Sequence, residues 1–111
     1  MKQKDHTACV TDFIIKTADK HRDEAMALIA QSEAKGSEVA ISSANSASEL
    51  VEKIYTLLEE SSLAELNREE RQRRNGEAIE LIAICEARSA HTRILLEHED
   101  HELRSTIQSG H

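Results

Sequence analysis

A chain of 111 residues that is 39% hydrophobic and 32% charged, with a formal charge of −7, has room for one domain, and its acidic balance disfavours a surface devoted to nucleic acid or anionic lipid. Phe13 and Tyr55 are its two aromatic residues, and Trp and Pro do not occur; this excludes a pocket built from rings and leaves burial to Ile, Leu and Ala, which suit closely packed helices. Two cysteines, Cys9 and Cys85, are too few for a disulfide framework, no apolar run follows Met1-Lys2-Gln3-Lys4, and no stretch approaches the ~20 apolar residues of a membrane span, so the expectation is a cytoplasmic protein with reduced thiols, no membrane contact and no cofactor.

Met1–His6 is polar and expected to fray, with Asp5 or Thr7 available to cap a first helix. Val10, Phe13, Ile14, Ala18, Ala25, Leu28 and Ile29 then recur at three- and four-residue intervals, one face of a helix, with His21 on the same stripe. Gly36 after Lys35 reads as the stop, because glycine accepts the left-handed conformation that ends helices. A helix over about Thr7–Lys35 is predicted, roughly 40 Å long at the usual rise per residue.

Ser37–Ser48 is rich in Ser and Ala, residues that weaken a helix or let a neighbour approach closely, yet it lacks the Gly and Pro of a flexible linker. Ala40, Ser43 and Ala47 lead in heptad register into Leu50, Ile54 and Leu57, with Val51 and Leu58 beside them. The spacing predicts one helix over Ser37–Glu60 whose small-residue half is the less stable, either packed tightly or able to reorder for a partner.

A capping box at Ser62 and Glu65, and a second at Asn67 and Glu70, predict a new helix start. Asn67–Gly76 has no apolar residue and reads as solvated on all sides, with Glu69–Arg73 and Glu70–Arg74 able to pair. Asn75-Gly76 signals a turn or kink. The last helix is then expected over Glu77–Gln108, with residues 109–111 a loose end. Its segment Ala78–Leu96 begins apolar nearly all round, which predicts a central rod covered from several directions, within one chain or across a dimer. The expected fold is all-α: one domain over 1–111, a bundle of three to four helices in antiparallel packing, completed by homodimerisation.

The candidate chemistry is sparse. His98, His101 and Glu102 could share a helix face as a weak two- or three-ligand metal site, but the Glu-x-x-His pattern of di-metal bundles is absent, and a solvated acidic face is the plainer reading. Pairing with neighbouring carboxylates would also raise the proton affinity of His98 and His101. Ala90-His91-Thr92 resembles the phosphate-accepting histidine of phosphotransfer domains, which are acidic helical bundles of similar length. Those domains usually continue Leu-Lys-Gly, and here Arg93-Ile94-Leu95 stand instead. The resemblance implies that His91 would be the phosphorylated residue. Arg68, Arg71, Arg73 and Arg74 form the one basic patch, a docking site for an acidic partner or for nucleic acid, though Glu69 and Glu70 intervene and no aromatic is present to stack bases. There is no Gly-rich phosphate loop and no nucleophile–base spacing.

Enzymatic activity is therefore not expected. The residues point to a protein-binding module (an adaptor, a secretion-type chaperone or an inhibitor) whose dimer or partner surface comprises Leu50, Ile54, Leu57, Ile82 and Cys85. A histidine-based signalling or metal-responsive module is the second expectation, and a nucleic-acid regulator using the Arg68–Arg74 patch the third.

Overall fold

The computed structural model describes residues 6–61 and 67–109, and within them the side chains of 9–59 and 67–98. Three helices make up the described chain: α1 (His6–Lys35), α2 (Glu38–Ser61) and α3 (Arg68–Ser109). The predicted caps at Asp5 and Ser62, and the histidine–carboxylate cluster at His101 and Glu102, lie outside the described side chains.

The α1–α2 junction follows from Gly36, whose φ is +66°. Its N–H donates to the Glu33 carbonyl at 3.0 Å and that of Ser37 to the Ser32 carbonyl at 3.1 Å, the paired bonds that close a helix around a left-handed residue. Ser37 then caps α2, its Oγ accepting the Ala40 N–H at 3.1 Å. At the start of α3, Asn67 Oδ1 accepts the Glu70 N–H at 2.8 Å, as the capping pattern predicts.

The core is built in three layers. Ile14 and Ala18 meet Ile54, Leu58 and Ala78; Ala25 meets Ala47, Val51 and Cys85; Leu28 meets Ala40, Ala44 and Leu96. The first layer is aliphatic. Beyond it, Ser32, Ser43, Ser89 and Thr92 are also buried, and Thr92 donates to Ser43 Oγ at 2.8 Å or to the Arg88 carbonyl at 2.9 Å. Between α1 and α2 the Tyr55 hydroxyl donates to the Asp19 carboxylate. Partial burial and this bond to an anion push the phenol up to about 12. Glu24 pairs with Arg93 of α3.

Two expectations are corrected. Asn75-Gly76 does not end a helix: α3 runs through it, and the left-handed conformation occurs at Gly36. The reason is tertiary. Asn75 is buried against α1, where Thr11 donates to its side-chain oxygen at 2.8 Å, so Arg68–Gly76 is not solvated on all sides but joins the bundle. Within the single chain Ala78–Cys85 is not covered all round. Two neighbouring helices shield only part of its circumference, and Ile79 and Ile84 remain 52% and 47% exposed.

Candidate protein-docking groove

On α2, Val39, Ser43, Ser46, Leu50, Lys53 and Leu57 recur at intervals of four and three residues, one strip of a helix beside its core strip. On α3, Leu81, Ile84, Arg88, His91 and Leu95 recur in the same way. The two strips flank one furrow. At one end Val39, Ser42, Ser43 and Ser46 line a cavity of about 520 Å³ with Arg88, His91, Leu95 and Glu38. At the other, Lys53, Thr56 and Leu57 line one of about 410 Å³ with Leu81 and Glu52. Ile84 lies along α3 between the two. The furrow opens on the side of α2 and α3 away from α1.

Its chemistry is that of a contact surface. Aliphatic groups at Leu50, Leu57, Leu81, Ile84 and Leu95 are half-buried or exposed. Hydroxyls of the serines give the upper end small, adaptable walls. Its charged groups are mixed at both ends: Glu38 and Arg88 border the first cavity, Glu52 and Lys53 the second.

The five residues expected at a dimer or partner surface separate in space. Leu50 and Leu57 border the furrow, half-buried. Ile54 and Cys85 are buried in the core of the single chain, and Ile82 packs beside the first layer. Replacing Ile54 by Asp would therefore test folding and not a surface. The sequence reading did not single out Ile84, Leu81 or Leu95 as the outer strip. Their four-and-three spacing carried that signal, one step round the helix from the core register.

The remaining candidates fall elsewhere. Cys85 donates weakly to the Ala47 carbonyl at 3.5 Å, and burial pushes its thiol up, away from the reactive thiolate; Cys9 is exposed, and both are free. His91 is exposed on the rim of the larger cavity. His98 is exposed, and among the described residues no three His, Cys, Asp or Glu groups converge as a metal site. His21 is buried, its Nε2 3.4 Å from a Glu86 carboxylate oxygen.

In the basic patch Glu70 holds Arg73 and Arg74, with Arg73 also reaching Glu77. Hydrogen bonds from those two guanidiniums hold the Glu70 carboxyl down at about 2. Arg73 thus pairs with Glu70 and Glu77 where Glu69 was expected. Arg68 is exposed, and Arg71 is half-buried against the bundle. Arg73 and Arg74 are thus engaged by carboxylates of their own helix.

Among the described residues no helix is long and apolar enough to cross a membrane. Comparison of the chain with protein-family models, with curated proteins and with solved structures finds no match to any of the three.

Proposed function

We propose that this chain is a non-enzymatic protein-interaction module in which α1, α2 and α3 form an antiparallel bundle and the furrow between α2 and α3 takes a further helix from a partner chain. The observation that carries the reading is the pair of parallel strips, Val39 to Leu57 and Leu81 to Leu95, bordering one furrow with aliphatic side chains left uncovered. A helix laid there would anchor at three- and four-residue intervals, the usual helix-in-groove mode. Covering the exposed part of each aliphatic anchor would contribute about 1 kcal/mol. An adaptor, a secretion-type chaperone and an inhibitor all use such a surface.

The test places a photoreactive benzoylphenylalanine at Leu95, which lines the furrow, at Ile84, which lies on α3 between its two cavities, and at Met26 on α1. The expected result is a covalent adduct with a protein from the Leu95 and Ile84 positions and none from Met26. No adduct at Leu95 or Ile84, or equal yield at Met26, overturns the reading.

One observation favours a second reading. His91 is exposed on a cavity rim beside Arg88, one turn earlier, with three serines opposite, an arrangement that could take a phosphoryl group on the imidazole. Acid-labile phosphate that disappears in His91→Ala supports it; its absence in the presence of a phosphodonor removes it.

A further inference from the structure

Asn75 and Gly76 together carry a reactivity that the folded bundle suppresses. When the residue after an asparagine has no side chain, its backbone nitrogen can reach the asparagine's amide unhindered. Here the Gly76 nitrogen gives up its proton and attacks Cγ of Asn75. The N–Cγ bond forms, the Cγ–Nδ2 bond breaks, and ammonia leaves behind an imide ring. Water then opens the ring at either carbonyl. One product is aspartate in an ordinary chain; the other is isoaspartate, in which the backbone runs through the former side chain. Water is the only co-reactant and nothing is oxidised or reduced. The other asparagines, Asn45 and Asn67, precede Ser46 and Arg68, whose side chains hinder the same attack.

The fold restrains both partners. α3 is helical across the pair, and a helix commits the N–H of residue 76 to the carbonyl four residues earlier. Thr11 Oγ1 donates to Asn75 Oδ1 at 2.8 Å, and Asn75 is 4% exposed, so the amide is fixed and shielded from water. Crowding at the glycine is no part of the barrier, since nothing stands within 4 Å of where its Cβ would be.

This restraint is local. The layered core takes its first α3 residue at Ala78, and within 67–76 the one buried residue is Asn75. A glycine at 76 also makes the helix weaker there than at its neighbours. The start of α3 can therefore part from α1 while the layers stay closed, a local opening of the kind common near element ends.

We propose that Asn75 is a latent modification site, silent while Thr11 holds its amide and converted to aspartate or isoaspartate when the start of α3 separates from α1. Conversion is one-way. Isoaspartate adds a backbone methylene and breaks the helical repeat, and either product puts a carboxylate where a neutral amide was buried. The start of α3 then fails to re-seat, and a passing separation becomes permanent. This chemistry does not depend on what fills the furrow between α2 and α3.

The test keeps the full chain warm at mildly alkaline pH and follows residue 75 by peptide mapping and mass spectrometry. In urea, Asn75 is expected to convert fastest of the asparagines, and in the native chain about a hundred-fold more slowly. Thr11→Val is expected to speed native conversion about ten-fold, the effect of losing one buried hydrogen bond. Thr11→Ser keeps the donor and should stay near the wild-type rate. Gly36→Ala, which strains the α1–α2 junction instead, should change the rate by less than about two-fold if the opening is local. Trypsin is expected to cut after Arg71 and Arg73 faster in the converted chain than in the unconverted one.

Native conversion as fast as in urea, or a Thr11→Val rate equal to that of the wild type, overturns the proposal. So does Thr11→Ser or Gly36→Ala reacting about ten-fold faster than the wild type, or a converted chain that trypsin cuts no faster. Circular dichroism checks that each variant is folded; if Thr11→Val is not, the wild type, Thr11→Ser and Gly36→Ala still decide.

Discussion

Thr11 and Asn75, 64 residues apart in the chain, meet inside the bundle with Thr11 Oγ1 donating to Asn75 Oδ1 at 2.8 Å. The bond ties the start of α1 to the start of the apolar length of α3, and both residues are buried. Thr11→Val removes the donor and leaves a buried amide oxygen without it, so a loss of about 1–3 kcal/mol is expected. Thr11→Val with Asn75→Leu replaces both polar groups and should cost clearly less than Asn75→Leu and Thr11→Val added together. Urea unfolding of the four proteins measures this; strict additivity would mean the two side chains do not share a bond in solution.

The two described glycines should respond to alanine with opposite signs. Gly76 sits inside α3 with ordinary helical backbone and nothing within 4 Å of an added Cβ. Gly76→Ala should stabilise by about 0.5–1 kcal/mol, through helix propensity and a less free unfolded chain. Gly36 has as much space but a φ of +66°, so Gly36→Ala should destabilise by about 1–2 kcal/mol. Thermal melting distinguishes the two outcomes, and destabilisation by Gly76→Ala would place the turn at residue 76 after all.

Acid should weaken the start of α3 through one carboxylate. Glu70 accepts hydrogen bonds from Arg73 and Arg74, which hold its folded value at about 2, below the usual carboxylate range. A depressed carboxylate stabilises the fold in full above its unfolded value and loses that contribution as pH falls from about 4.5 toward 2. Carboxyl-carbon NMR titration should show Glu70 ionised where ordinary glutamates are already protonated, with the difference shrinking in high salt because the pair is near the surface. A midpoint in the ordinary range would dissolve the ion-pair cluster.

The thiols should react in sequence. Cys9 is exposed, while Cys85 is fully buried with its thiol pushed up by desolvation. A maleimide reagent at neutral pH is expected to label one thiol rapidly, at Cys9, and to reach Cys85 only on unfolding. Mass spectrometry after brief labelling reads this directly. Rapid double labelling would show that the middle layer opens under native conditions.

Much of the bundle was legible before any coordinates. The three-and-four spacing from Val10 to Ile29 and from Ala40 to Leu58, and the glycine after Lys35, mark two helices because each is a local signal. The break at Asn75-Gly76 was misread because the Asn amide was assigned to the local backbone, while in the fold it serves Thr11 far away in sequence. Ile54 and Cys85 were legible as apolar seam residues. Whether a seam faces its own chain or another depends on which neighbour arrives first, and periodicity alone does not carry that. The furrow was hidden for the same reason: its strip runs one step round α3 from the core strip, and both obey the same repeat.

The layers differ in how much oil they hold. Near Ile14, Ile54 and Leu58 large aliphatic groups of α1 and α2 interlock, whereas toward Gly36 Leu28 and Leu96 rest on the small Ala40 and Ala44 of α2, with Ser32 and Ser43 buried beside them. Small groups remove less apolar area from water per residue, so cohesion falls along the rod toward the hairpin formed by α1 and α2. Amide protons there should exchange with deuterium before those flanking Ile54, and thermal unzipping should begin at that tip and travel toward the aliphatic end.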